Sequence, residues 1–235
     1  FALPFLALMR RIGEWSVFVE NMLLPTEELR LSALTSCLAA TIMAVIAWLG
    51  ATRICFGGKR SRLVLGLGTA VLLAMPAPII GAGLIQLLNR PGWPGAVYDS
   101  FWILVLAQVI RTLPFGVLVL IPFLRKTDPE LLQEAALHPT SGMAMTWKVL
   151  VPMHWRGVLA CWGLGMVLSL SEIGASFLVV PPGYTTLTVR FFTQIHFGVY
   201  ADTASLCLLL TIWLLIPTAV IIAIIARRSK QHWED

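Results

Sequence analysis

Two charged residues stand inside long apolar runs, Arg111 in 101–124 and Glu172 in 158–180. An ionised side chain near mid-bilayer raises the insertion free energy by about 2.5 to 3.5 kcal/mol, so such residues pair, face a wet cavity or carry ions and solutes. Counted along helices from Arg125 and Arg156 at about 1.5 Å per residue, both lie roughly 21 to 24 Å above the inner boundary. Equal depth on consecutive antiparallel spans fits a direct or water-bridged ion pair, with solute contact as the other reading. Ion coupling in a secondary transporter would use the same two residues.

Other chemistry is thin. The sequence has no Walker A glycine loop, no H-E-x-x-H and no G-x-S-x-G, so it carries no ATP-hydrolysing or protease signature. An intramembrane enzyme would have only isolated Ser and Glu residues to build on, and the chain is expected not to be an enzyme. His138, His154, His196 and His232 are far apart and read as interfacial or solvated residues; a ligand role is weighed only for His196. Cys37, Cys55, Cys161 and Cys207 lie in or beside apolar runs without a C-x-x-C pair, which suits small buried residues rather than disulfides or a metal site. No cofactor is expected.

The elements that would position these residues are membrane spans. Of the 235 residues 58% are hydrophobic and 12% charged, with a mean hydropathy of +0.84; soluble domains carry about 25% charged residues. The apolar runs are long enough for helices and lack the alternation of an outer-membrane barrel. An all-α, polytopic transmembrane bundle is expected, with full spans at about 31–52, 63–88, 101–124, 158–180 and 205–226. Residues 1–9 read as a sixth span cut short, 10–30 as an outer loop and 227–235 as a cytoplasmic tail. Gly66, Gly68, Pro76, Pro78, Gly81 and Gly83 interrupt the span 63–88. Such breaks persist where neighbouring helices or a polar path satisfy the freed backbone groups, so Pro76 and Pro78 become candidates for a pathway lining or a packing kink. The net charge of +5 comes from basic residues beside apolar runs. Arg53, Lys59, Arg60, Arg62, Arg125, Lys126, Lys148, Arg156, Arg227, Arg228 and Lys230 gather on one side, eleven of the seventeen, which should face the cytoplasm. Arg10 and Arg11 fall on the other. This composition predicts the bilayer as a partner and no nucleic acid.

Between two spans, residues 127–152 form a polar stretch. Thr127 and Glu130 have the form of a capping box, with Pro129 allowed in the first turn. Pro139 would stop that helix, and Ser141 can cap a second one bearing Met143, Trp147, Leu150 and Val151 on one side. The sequence Glu134-Ala135-Ala136, then Thr140, Gly142 and a hydrophobic-x-Pro ending at Pro152, resembles the EAA loop of membrane subunits of ABC importers. Thr140 stands where that family usually has glycine, and Gly142 comes two residues later. Downstream, Ser171-Glu172-Ile173-Gly174-Ala175, then Val180-Pro181-Pro182-Gly183-Tyr184-Thr185-Thr186-Leu187 and Val189-Arg190, resembles the iron(III)-type branch of these type I permeases.

The resemblance implies a multi-pass permease subunit in a bacterial inner membrane, passing a solute inward by alternating access. Ferric iron is the solute it points to; thiamine, sulfate or molybdate and polyamine branches share the loop. It implies a cytoplasmic ATPase dimer that binds the ATP, an extracytoplasmic solute-binding protein, and a second permease half, fused or as a homodimer. The start of the sequence fits the C-terminal half of such a fusion. Glu134, Ala135, Ala136, Thr140, Gly142, Trp147 and Pro152 would form the ATPase-coupling surface. A 26-residue amphipathic hairpin favours this reading over a secondary transporter. Ala135→Trp or Glu134→Lys should therefore leave the protein in the membrane while cutting ATPase association and transport, as read by co-purification and uptake. Normal association in both variants would make the stretch an ordinary linker.

Overall fold

In the computed structural model, residues 26–127, 146–197 and 200–229 are described. Among them the chain is helical throughout. The elements are α1 (Thr26–Phe56), α2 (Lys59–Ala74), α3 (Ala77–Leu88), α4 (Trp93–Tyr98), α5 (Trp102–Leu124), α6 (Trp155–Leu170), α7 (Ser176–Val179), α8 (Leu187–Phe197) and α9 (Tyr200–Ser229). A π-helical turn (Thr146–Leu150) and one short helical turn (Val151–Met153) lead into α6.

Three helices, α1, α5 and α6, pack on one another and carry the centre of the molecule. On α1 the buried face is mostly small, with Ala39, Ala40, Ala44, Ala47 and Ala51. Small residues let helix backbones approach closely where no hydrophobic drive separates protein from lipid. Met43 fills the space this leaves. A Cβ added at Gly116 of α5 would run into Met43 Sδ, and one at Gly165 of α6 into Met43 Cε. Around this contact Trp48, Val117, Leu120, Leu124 and Cys161 complete a buried cluster.

Among the described residues two helices, α1 and α5, are long and apolar enough to cross a membrane; α2 and α3 qualify only together, and they are bent by 105° at their junction. The expected span 63–88 is thus two helices. Met75 is extended, as the residue before a proline is pushed to be, and Pro76 cannot carry the helix on. α1 begins at Thr26, inside the expected outer loop, because Glu27 and Glu28 complement the positive end of its dipole. Glu28 also pairs with Arg190 of α8.

The largest departure from the expected spans is at 158–180. There α6 ends at Leu170, and Ser171, Glu172 and Gly174 make a turn before α7. Serine and glycine favour such a turn, since their local hydrogen bonding or backbone freedom competes with the helix. Part of the expected loop 181–204 is also ordered as α8. Its Leu187 N–H donates to Ser32 Oγ, and Thr188 Oγ1 donates to Leu170 O, covering the last carbonyls of α6.

At the other end of the bundle the Thr127 hydroxyl donates to Leu124 O at 2.7 Å and lies 3.1 Å from His154 Nε2. His154 Nδ1 lies 3.0 Å from Leu150 O. His154 is buried, against the expectation of a solvated loop histidine. The described end of the expected second helix, Thr146–Leu150, is a π-helical turn; Pro152 lacks the N–H for the carbonyl four residues back and its ring crowds that carbonyl. Glu130, Glu134, Ala135, Ala136, Thr140, Gly142 and the proposed cap at Ser141 lie outside the described residues, as do residues 1–9 and 230–235.

Overpacking a tight core typically lowers stability by about 1 to 3 kcal/mol, so Gly116→Ala should destabilise the protein on that scale in detergent unfolding. Met43→Ala removes the side chain it strikes. The double variant should then lose less than the sum of the two; strict additivity would show that Met43 is not the obstacle.

Candidate functional site

The site lies where the α2/α3 break meets the turn after α6. A cavity of about 300 Å³ is lined by Ala77 of α3, by Arg111, Thr112 and Phe115 of α5, and by Leu168, Ser171, Glu172, Ile173 and Gly174. The structure brings the two stranded charges together here, although far apart in sequence.

Their chemistry differs from a simple pair. Glu172 is buried, and its carboxylate accepts from Ala175 N–H at 3.0 Å, Ser176 N–H at 3.0 Å and Ser176 Oγ at 2.8 Å. It acts as the cap of α7, holding the first amides of a helix that has no earlier turn to satisfy them. Arg111 is half-buried. Its Nη1 donates to Met75 O at 3.4 Å, beyond the terminal turn of α2, and its guanidinium sits 5.9 Å from the Phe115 ring centre. A cation at a helix C-terminus meets the negative end of the dipole. No N–O distance of 4.0 Å or less joins Arg111 to Glu172, so the direct ion pair drawn from equal depth is not formed, and the two face one cavity instead.

Close packing fixes this geometry. A Cβ at Gly174 would come within 2.7 Å of Ala77 Cβ, and one at Gly81 within 3.1 Å of Ala175 O. Glycine at both positions lets the α6–α7 turn press against the start of α3. Pro76 is the N-cap residue of α3 and Pro78 stands in its first turn, so their role is to make the break.

Sequence reasoning missed a polar seam behind Glu172. Ser32, Ser36, Gln108, Ser169, Thr186 and Thr188 gather with Glu172 and Leu170 around a space too narrow for a water molecule. Ser36 Oγ, Gln108 Oε1 and Ser169 Oγ are buried without hydrogen-bond partners among the described residues. Each is an ordinary small polar residue in an apolar run, and only their spacing on three different helices, invisible in one dimension, makes them a cluster.

The remaining expected residues lie elsewhere. Trp147 lines a separate apolar cavity of about 390 Å³ with Trp48, Trp155 and Trp162, and Pro152 is exposed beside it. Neither approaches the Arg111 cavity.

A chain of the crystal structure of an amino acid ABC transporter with histidines superposes with a TM-score of 0.63 at 17% identity, covering 92% of this chain and 98% of that one. The fold is that of an ABC transporter chain. No family model matches the sequence. The spermidine/putrescine transport system permease protein PotC of Escherichia coli K12 is 26% identical over 206 residues, 86% of this chain and 74% of that protein. PotC of Haemophilus influenzae is 26% identical over 198 residues, 83% of this chain and 73% of that protein. The putative 2-aminoethylphosphonate transport system permease protein PhnV of Salmonella typhimurium is 25% identical over 137 residues, 58% of this chain and 51% of that protein. The relatives are therefore transport-system permeases, as the EAA-like stretch implies. The iron(III) branch and ferric iron gain no support from these names.

Removing the Glu172 carboxylate strands two amides and a hydroxyl, so Glu172→Ala should lower stability by about 1 to 3 kcal/mol. The exchange of Arg111→Glu with Glu172→Arg should lose about the sum of the single changes, because each residue serves its own backbone partners. Recovery of expression and thermal stability in the exchanged variant would instead establish a mutual pair.

Proposed function

We propose that this chain is the permease subunit of an ATP-driven importer, a multi-pass protein of a bacterial inner membrane that moves a small charged solute inward. It works with a separate cytoplasmic ATPase dimer, an extracytoplasmic binding protein and a second permease half. The observation that carries this reading is the reach of the sequence relationship to transport-system permeases, 86% of the chain, which includes the helix break, the cavity and the polar stretch. The secondary-transporter reading has no comparable support.

The geometry supplies a route for coupling. α5 ends at Leu124 and, after the polar stretch, the chain returns through Thr146 into α6. The contact of Thr127 with His154 joins these two ends. Arg111 rides on α5 and Glu172 on the turn that follows α6, so a displacement of the polar stretch by the ATPase moves two walls of the cavity together. α1 follows through Met43. Alternating access then amounts to a relative movement of α5 and α6 against the α2/α3 break, with ATP bound and hydrolysed entirely in the partner.

The test is reconstitution of the chain with its ATPase and binding protein. Solute-loaded binding protein should stimulate ATP hydrolysis several-fold, and absence of any stimulation in an assembled complex would overturn the reading. His154→Ala should keep the complex assembled but lower the solute moved per ATP hydrolysed, since it cuts the tie between α5 and α6.

A further inference from the structure

We infer that the cavity at the α2/α3 break binds an anionic oxygen group of the solute, a phosphonate, phosphate or carboxylate, on Arg111. The inference rests on the importer reading above and adds the substrate class to it.

Arg111 contributes a planar fork of N–H donors, which matches two oxygens of one oxyanion. Within the described residues that fork has a single long bond, to Met75 O, and one aromatic face, Phe115. Arg111 also lines the cavity, and its other donors have no hydrogen bond among the described residues. The other side-chain donors there are committed: the Thr112 hydroxyl donates to Gln108 O, and the Ser171 hydroxyl to Val167 O and Leu168 O. Glu172 does not neutralise the guanidinium by contact, because its oxygens hold the Ala175 and Ser176 donors. A charge among apolar helices that faces a cavity and has no paired counter-ion marks a candidate solute or ion path. About 300 Å³ beside it, walled by Ala77, Phe115, Leu168 and Ile173, accommodates a small solute.

The same arrangement disfavours a polyamine. A polyamine is cationic at both ends, so whichever ammonium lies beside Arg111 meets like charge. The lone ammonium of a zwitterion can instead lie on the Glu172 side, where the carboxylate keeps its charge while accepting three hydrogen bonds. Arg111 thus fits the 2-aminoethylphosphonate named for one relative better than the polyamines named for others.

Phenylglyoxal modification of Arg111, followed by peptide mass spectrometry on the full complex in membranes, tests this. The probes are 2-aminoethylphosphonate, inorganic phosphate and citrate, with putrescine as the contrast. At least one oxyanion probe should slow modification about tenfold or more, and putrescine should not. In uptake of the protecting solute, Arg111→Gln should raise KM by about ten- to a hundredfold, and Arg111→Lys should recover part of the loss. Protection by none of the oxyanions, or equal protection by putrescine, overturns the inference even when binding protein still stimulates ATP hydrolysis. Loss of that stimulation in the unaltered complex overturns the importer reading instead. If Arg111 serves only to hold the α2/α3 break, no probe protects it.

Discussion

The carboxylate of Glu172 is the constraint on which the site depends. A helix as short as α7 cannot satisfy its own first amides, and apolar surroundings offer no water to do so. Glu172 supplies the acceptors from the turn before it, and so ends α6 and starts α7 in one stroke. That fixes the direction of α7, which brings Gly174 onto Ala77 and Ala175 onto Gly81. The start of α3 is thereby held at a steep angle to α2, and Met75 O is presented to Arg111. Removing the cap would loosen each of these contacts in turn.

A second dependence runs along the bundle rather than across it. Met43 occupies the space left by Gly116 and Gly165, so α1 meets α5 and α6 through one flexible side chain between two glycines. Such a contact transmits displacement well, since there is no room to absorb it, yet thioether side chains can re-seat when helices shift. The Thr127–His154 contact closes the same unit at its other end. The start of the polar stretch at Thr127 and the chain just past its end at His154 are thus tied together within the bundle.

The sequence made the helical class and the α5 span legible, because runs of apolar residues between charges report length directly. Arg111 and Glu172 were legible as exceptions for the same reason. Where the expectation went astray, hydropathy could not register the deciding interaction. The run 158–180 is uncharged apart from Glu172, and that one residue ends the helix by bonding amides three and four positions on. Pro76 signalled a break but not its 105° angle, which depends on the glycine contacts with α7. His154 looked like a loop residue because its buried partners, Thr127 and Leu150, are set by tertiary packing. The Ser and Gln residues of the seam carried no signal at all.

That seam bears on how the bundle can move. Each buried polar atom left without a partner raises the free energy of a conformation by about 1 to 3 kcal/mol. Ser36 Oγ, Gln108 Oε1 and Ser169 Oγ lie on α1, α5 and α6 respectively, the three helices that pack on one another at the centre of the bundle. Separation admits water to all of them and recovers hydrogen bonds that the closed packing forgoes. The apolar contacts around Met43 favour closure, while the polar seam favours opening. Opposed terms acting on the same three helices narrow the free-energy gap between the packed and a loosened arrangement, and a narrower gap takes less differential binding to bias.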